Sequence, residues 1–251
     1  ALYNVVDSIY VAGYSRNAVT ALSLAFPIQN LQIGFATGAA VGMNSLLSKS
    51  LGEGNRERAN RAAGNGIFLT LAFIAVFMLF GFFGAEAYYA MQNISPETAK
   101  AGTDYTAICC IYTAGIFIGI LCERLLQASG KTIYTMFTQG TGAIINIILD
   151  SILIFGYLGL PALGVAGAAW ATVIGQLAGM LLSVFFNVTR NHEVRLEVRG
   201  FRPHLQTIKS IYAIGVPSII MASIISVMNF FMNRILLGFT DTANAVLGVY
   251  I

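Results

Sequence analysis

Six long apolar stretches alternate with short polar segments along the chain. They cover residues 19–50, 62–92, 101–127, 132–158, 163–189 and 210–239. Each is longer than the roughly 20 residues that a helix needs to cross about 30 Å of hydrocarbon. Because a backbone inside lipid must satisfy its own hydrogen bonds, the pattern predicts six complete transmembrane helices and an all-α, polytopic membrane protein.

The chain also begins and ends within apolar sequence. Residues 1–12 are apolar and lack an initiator Met, and residue 251 lies a few positions into another apolar segment. We therefore expect a fragment cut at both ends. Residues 6–12 align weakly with 232–238, and after one gap 18–22 align with 243–247. Since six spans separate the copies, both enter the membrane from the same side, as in transporters built from two parallel bundles.

This repeat predicts three parts of the chain. Residues 1–190 form a first bundle, the N-lobe, which contains a truncated helix 1 and helices 2 to 6. Residues 191–209 form a cytoplasmic linker between lobes, and residues 210–251 begin a second bundle with helix 7 and the start of helix 8.

Composition supports the membrane assignment and excludes other classes. Apolar residues make up 57% of the 251 positions and charged residues only 10%. A soluble domain usually has about 25% charged residues, so a water-facing surface cannot be built from these amino acids. Soluble enzymes, disordered chains and collagen are excluded. The three cysteines lie in one apolar stretch and imply no disulfide framework.

The basic residues are distributed unequally between the two sides of the predicted membrane. One set of alternate loops holds eleven of the fourteen: Lys49, Arg56, Arg58, Arg61, Arg124, Lys131, Arg190, Arg195, Arg199, Arg202 and Lys209. The other set holds only Arg16 and Lys100, while Arg234 lies within the last complete span. Loops rich in Lys and Arg remain in the cytoplasm, which fixes the orientation of every span.

Two carboxylates occupy matching depths inside the membrane. Asp7 and Asp150 each lie six residues before an outward turn, at Gly13 and Gly156, and therefore about 9 Å below the outer helix ends. Asn146 lies one turn from Asp150 on the same helix face. A carboxylate in hydrocarbon costs at least about 2.5 to 3.5 kcal/mol, so both need partners. Each either bonds a neighbouring helix or belongs to a shared proton or sodium site.

Other side chains in the spans leave alternatives open. Thr172, in a run rich in Gly and Ala, could add a hydroxyl oxygen to this site or be an ordinary packing residue. Tyr105 is either an interfacial anchor or a further polar partner. Glu123 and Arg124 favour a snorkelling or inter-helix ion pair. Prolines within spans, Pro27 and Pro217, predict kinks.

Five sequence segments together resemble the MATE family of multidrug and toxic compound extrusion transporters. They are VVDSIYVAG at 5–13, LGEGN at 51–55, RLLQASG at 124–130, INIILD at 145–150 and GVAGAAWAT at 164–172. The segments occur in the family's order, over essentially the whole chain. The resemblance is greatest to the prokaryotic branch that includes the DNA-damage-inducible protein F type.

The resemblance implies a twelve-helix protein of two six-helix lobes in a prokaryotic plasma membrane. Such a protein exports amphipathic, often cationic drugs in exchange for H⁺ or Na⁺. It implies no cofactor beyond the coupling ion, small-molecule drugs and the lipid bilayer as partners, no nucleic acid, and a monomer.

The resemblance also implies the site residues. In that branch, an Asp of the first helix, an Asn and an Asp of the fifth, a Thr of the sixth and a Tyr of the fourth form a cation-coupling cluster. These correspond to Asp7, Asn146, Asp150, Thr172 and Tyr105, and the first three would be the metal ligands if the ion is Na⁺. Other branches place the coupling carboxylate in the seventh helix, where this chain has no acid between positions 210 and 240.

Two other functions remain as alternatives. A lipid-linked oligosaccharide flippase of the same superfamily should have more cationic residues along its cavity than the single Arg234. An intramembrane aspartyl protease also uses two membrane Asp residues, but Asp150 follows Ile-Ile-Leu rather than Gly-x-Gly, and Asp7 follows Val-Val rather than Tyr. No serine nucleophile motif, HExxH or P-loop occurs, so we expect neither an enzyme nor an ATP-driven pump.

Overall fold

The computed structural model describes residues 10, 11, 13, 16–92, 94–159, 161–191, 193 and 203–237, without the side chains of residues 16, 17, 158 and 237. In this part of the chain all regular structure is helical. The helices are α1 (Arg16–Gly52), α2 (Arg56–Phe83), α3 (Ala85–Ala90), α4 (Pro96–Ile111), α5 (Ala114–Ala128), α6 (Thr132–Phe155), a 3₁₀ turn (Tyr157–Gly159), α7 (Val165–Arg190) and α8 (Leu205–Leu237). The predicted all-α class is confirmed.

The six predicted spans are present. Helices α1, α2, α6, α7 and α8 are each long and apolar enough to cross a membrane, and α4 with α5 forms a sixth span that bends by 44°. Large apolar side chains remain exposed on the outside of the described helices, including Phe83 at 79% and Val188 at 72%. An exposed apolar belt of this kind is what contact with lipid tails requires.

Local sequence explains where several helices begin and end. The Asn55 side chain accepts from the Arg58 backbone N–H at the start of α2, and the Ser95 side chain accepts from the Thr98 N–H at the start of α4. Helix α6 ends at Gly156, whose φ of 75° is a left-handed conformation that glycine adopts without strain. This turn is the one that the sequence predicts after Asp150.

Two predicted spans differ from the observed helices. The stretch 62–92 is divided at Gly84 into α2 and the short α3. The stretch 101–127 is divided at Tyr112 and Thr113, where Gln32 of α1 reaches across to bond the Thr113 hydroxyl at 3.3 Å and the Cys109 carbonyl at 3.5 Å. Neither Gly nor Pro marks this second break, so the apolar pattern could not reveal it.

Glycine rows bring two pairs of helices into close contact. Gly34, Gly38 and Gly42 of α1 lie against α8, where a Cβ at Gly42 would come within 2.2 Å of the Ile211 carbonyl oxygen. Gly142 of α6 lies against Gly175 of α7, where a Cβ on Gly142 would lie 3.0 Å from the Gly175 oxygen. Small residues of this kind allow helix backbones to approach within a membrane.

Some predictions concern residues outside the described ones. Asp7, both copies of the repeat in large part, and residues 194–202 of the predicted linker belong to this group. Helices α1 and α8 continue through Pro27 and Pro217.

Candidate functional site

A stripe of polar and small residues runs along one face of α6. Thr138, Gly142, Asn146 and Asp150 recur every four residues and therefore lie above one another. Thr138 and Asp150 are 0% exposed and Asn146 is 3% exposed. Asp150 thus faces the interior of the bundle rather than lipid, which is the environment in which an intramembrane carboxylate can find partners.

Asn146 and Thr172 meet across the interface of α6 and α7. The Asn146 Nδ2 lies 3.5 Å from the Thr172 Oγ1, and both side chains are buried. The close approach of the backbones permits this contact, because a Cβ at Gly175 would lie only 3.0 Å from the Asn146 Cβ. The Asn146 Oδ1 is buried and accepts no hydrogen bond from the described residues. It therefore keeps the capacity to accept a proton donor or to ligate a cation.

Tyr105 is located inside the bundle and not at its rim. Its side chain is 2% exposed, and its Oη accepts a hydrogen bond from Gln29 Nε2 at 2.9 Å. It belongs to the same apolar cluster as Ile154 and Ala168. Ile154 lies one turn beyond Asp150. An interfacial anchor would expose its hydroxyl, so that alternative for Tyr105 is wrong.

Asp7 lies outside the described residues, so its predicted pairing with Asp150 stays a prediction. Within the described part of the chain, no group of three or more His, Cys, Asp and Glu residues could hold a metal ion. A sodium ion near Asp150 would therefore take oxygens from neutral groups such as Asn146 and Thr172 together with few carboxylates.

A cavity of about 680 Å³ extends along this wall between α5, α6 and α7. Asn146 and Thr172 line it at one point. Glu123, Thr138 and Gln139 line it at another, eight residues or about 12 Å along α6. Most of the remaining lining is apolar or glycine: Ile33, Gly115, Ile116, Gly119, Ile120, Met136, Gly140, Gly142, Ala143, Gly175, Gly179 and Met180. Ligand sites typically combine apolar walls with a few polar groups in this way.

Glu123 is the charged residue among the described cavity-lining side chains. Its carboxylate accepts hydrogen bonds from the Thr138 hydroxyl at 3.0 Å and the Gln139 amide at 2.9 Å. Arg124 instead donates to Gln127 at 2.7 Å. The described contacts therefore replace the predicted ion pair of Glu123 with two neutral donors.

Sequence reasoning missed the position of Glu123 and the role of two glutamines in α1. One signal was present for Glu123, since Gly115, Gly119 and Glu123 recur at four-residue spacing on one helix face. Gln29 and Gln32, in an apolar helix, carried a similar signal, because amides inside a membrane usually bond a neighbouring helix.

Comparison with known proteins adds independent information. The family model described as MatE matches residues 1–152. The multidrug export protein MepA of Staphylococcus haemolyticus is 26% identical over 99% of the chain, and that of Staphylococcus aureus strain NCTC 8325 is 23% identical over 99%. The chain spans 54% of the length of either relative.

Solved structures agree with the sequence relatives. An inward-facing multidrug resistance MATE family transporter of the MOP superfamily is 25% identical with a TM-score of 0.92, over 99% of this chain and 56% of the other. The MATE multidrug transporter DinF-BH, solved in complex with a drug, is 27% identical with a TM-score of 0.91, over 99% and 55%. An outward-facing MATE family structure has a TM-score of 0.84 at 25% identity, over 97% and 53%.

Proposed function

Because the chain belongs to the MATE family of membrane transporters, we propose that it is part of a secondary active exporter and not of an enzyme. The exporter moves amphipathic, cationic drugs out across a prokaryotic plasma membrane in exchange for H⁺ or Na⁺. Similarity to proteins named multidrug export protein and to a transporter solved with a bound drug supports this proposal.

The observation that carries the proposal is the cavity along α5, α6 and α7. It offers apolar walls for an aromatic or aliphatic drug body, and its polar groups are confined to two places. We assign drug binding to this cavity, with the carboxylate of Glu123 as the partner of a drug cation. Burial of the carboxylate in an apolar surrounding strengthens its attraction for a cation relative to water.

We assign ion coupling to the group predicted from the sequence: Asp7, Asn146, Asp150, Thr172 and Tyr105. Asp150 would take the proton or share the sodium ion, while the free acceptor atom of Asn146 would add a neutral ligand. Since Asn146 and Thr172 line the drug cavity, occupancy of the ion site changes the wall that the drug contacts.

Exchange then follows from competition between the two ligands. If ion loading draws the surrounding helices together, the cavity loses volume and the drug binds less tightly. Linkage requires that the drug weaken ion binding by the same factor, typically about 5- to 150-fold.

The charge of the cavity favours a cationic drug over a pyrophosphate-linked lipid. Among the described lining residues the charged side chain is the acid Glu123, with no Lys or Arg. A pyrophosphate would be repelled by this carboxylate and would find no described cation to balance it. The flippase alternative therefore has no supporting observation in the described part of the cavity.

Export of ethidium, an aromatic cation, from proteoliposomes tests the proposal. The full-length protein is reconstituted, and a proton gradient and a sodium gradient are imposed separately. We expect export driven by at least one gradient and abolished when that gradient is collapsed. Equal ethidium movement with and without both gradients would contradict the proposal.

A further inference from the structure

Pro27 interrupts the hydrogen-bond ladder of α1 in the outer half of that helix. Proline has no backbone N–H, so residue 27 cannot donate to the carbonyl four residues earlier, that of Ser23. A buried carbonyl deprived of its donor is costly, especially within a membrane. The described contacts show where this carbonyl finds a replacement.

Asn233 of α8 supplies the missing donor. Its Nδ2 lies 3.0 Å from the Ser23 carbonyl oxygen, and the side chain is 2% exposed. The bond joins residues 210 positions apart in the sequence. It therefore links a helix of the first predicted lobe to the helix with which, in our interpretation, the second lobe begins.

A second side chain binds the same opened turn of α1. The Tyr88 hydroxyl donates to the Leu24 carbonyl at 2.8 Å, and the Tyr88 ring lies 5.9 Å from that of Phe230. Tyr88 belongs to α3 and Phe230 to α8. Helices α1, α3 and α8 thus meet at the turn that Pro27 opens.

The interface between α1 and α8 differs along its length. In the inner half, the glycine row brings the backbones together, with Gly38 close to Gly215 and Gly42 close to Ile211. In the outer half, the described polar link is the bond from Asn233 to Ser23. Separation of the outer half would break one hydrogen bond and an aromatic contact, whereas separation of the inner half would open tightly packed backbone.

We propose that Asn233 is a positioning residue that fastens the outer end of α8 to the carbonyl exposed by Pro27. The bond forms when the outer side is closed and releases when the outer side opens. The higher TM-score to an inward-facing structure than to an outward-facing one agrees with a closed outer side. The inference rests on the proposed function, because it treats α8 as part of a lobe that moves.

Distances between spin labels on the full-length protein test this latch. Labels are placed at Met91→Cys, just beyond α3, and Ile235→Cys, near the outer end of α8, both exposed positions. Asn233→Ala should raise the ratio of long to short distances by about two- to tenfold, which is the effect expected of one net hydrogen bond. Asn229→Ala is the matched control, since Asn229 is buried one turn away and its Nδ2 has no described partner.

Pro27→Ala tests the same bond from the other helix. It returns the N–H to α1, so the Ser23 carbonyl regains a donor within its own helix and Asn233 loses its role. We expect the single variants to lengthen the distance similarly and the double variant to add little beyond either. Should Asn233→Ala fail to reach the membrane, Pro27→Ala alone decides the outcome by lengthening the distance or leaving it unchanged.

An unchanged distance in Asn233→Ala, an equal change in Asn229→Ala, or fully additive effects in the double variant would overturn the latch. The distance measurement needs no transport. Absence of ion-driven ethidium export would therefore contradict the proposed function, whereas these distance results contradict only the latch.

Discussion

Two helix pairs use glycine rows for opposite results. Between α1 and α8 the row closes the interface, and Gly42 faces backbone atoms of Ile211. Between α6 and α7 the row includes Gly142 and Gly175, yet a cavity of about 680 Å³ extends beside it. Small residues alone therefore do not decide whether a membrane interface is closed or hollow.

The polar residues beside each row explain the difference. At the α1–α8 interface, Asn233 bonds a backbone carbonyl that has lost its own donor. At the α6–α7 interface, Asn146 keeps a buried oxygen without a described partner. The first arrangement joins two helices, and the second retains capacity for a ligand.

Removing the charge at the hollow interface should have the largest effect on function. Asp150→Asn keeps the side-chain volume but can neither release a proton nor neutralise a cation. We expect ion-driven ethidium export to fall to background while the protein remains in the membrane. Asp104→Asn, at an exposed position on α4, is the control and should export normally. Normal export by Asp150→Asn would remove Asp150 from the coupling group.

Adding a methyl group to each glycine row should separate the two interfaces by stability. Gly42→Ala places a Cβ within 2.2 Å of a backbone oxygen, Gly142→Ala within 3.0 Å, and Gly140→Ala within 4 Å of nothing. Overpacking typically costs about 1 to 3 kcal/mol. Thermal unfolding in detergent should rank Gly42→Ala as least stable, Gly142→Ala next and Gly140→Ala near wild type. Equal stability of Gly42→Ala and Gly140→Ala would show that the α1–α8 interface is looser than described.

Truncating the amide of the hollow interface should weaken coupling without abolishing it. Asn146→Ala removes one neutral ligand, so we expect the ethidium exported per unit of ion gradient to fall about two- to tenfold, as for loss of one hydrogen bond. Thr172→Ala should do the same, and the double variant should add little because the two side chains contact each other. Additive losses would indicate that the residues act separately.

Removing the charge of Glu123 should have the smallest effect. Glu123→Gln keeps the shape of the cavity wall, and a partly solvated ion pair contributes about 1 kcal/mol or less. We expect the KM for ethidium export to rise by about two- to fivefold with little change in kcat. Glu97→Gln, at an exposed position at the start of α4, is the control. An unchanged KM would exclude Glu123 as the partner of the drug cation.

The sequence predicted features that depend on long stretches or on single buried charges. The six spans follow from the length of the apolar runs, and the position of Asp150 near an outward turn follows from Gly156. The break between α4 and α5 was not predictable, because Gln32 of another helix bonds there. For the same reason Pro27 predicted a kink but not its partner Asn233. Contacts between distant helices leave little trace in one sequence.

Equilibrium binding of ethidium to the purified full-length protein tests the central claim that ion and drug compete through the α6–α7 wall. Binding is titrated from roughly pH 5 to 8, with and without sodium. We predict that the coupling ion weakens drug binding by about 5- to 150-fold, and that Asp150→Asn abolishes this dependence. An affinity that stays constant across both titrations would contradict the account and leave the buried polar stripe of α6 as a structural feature only.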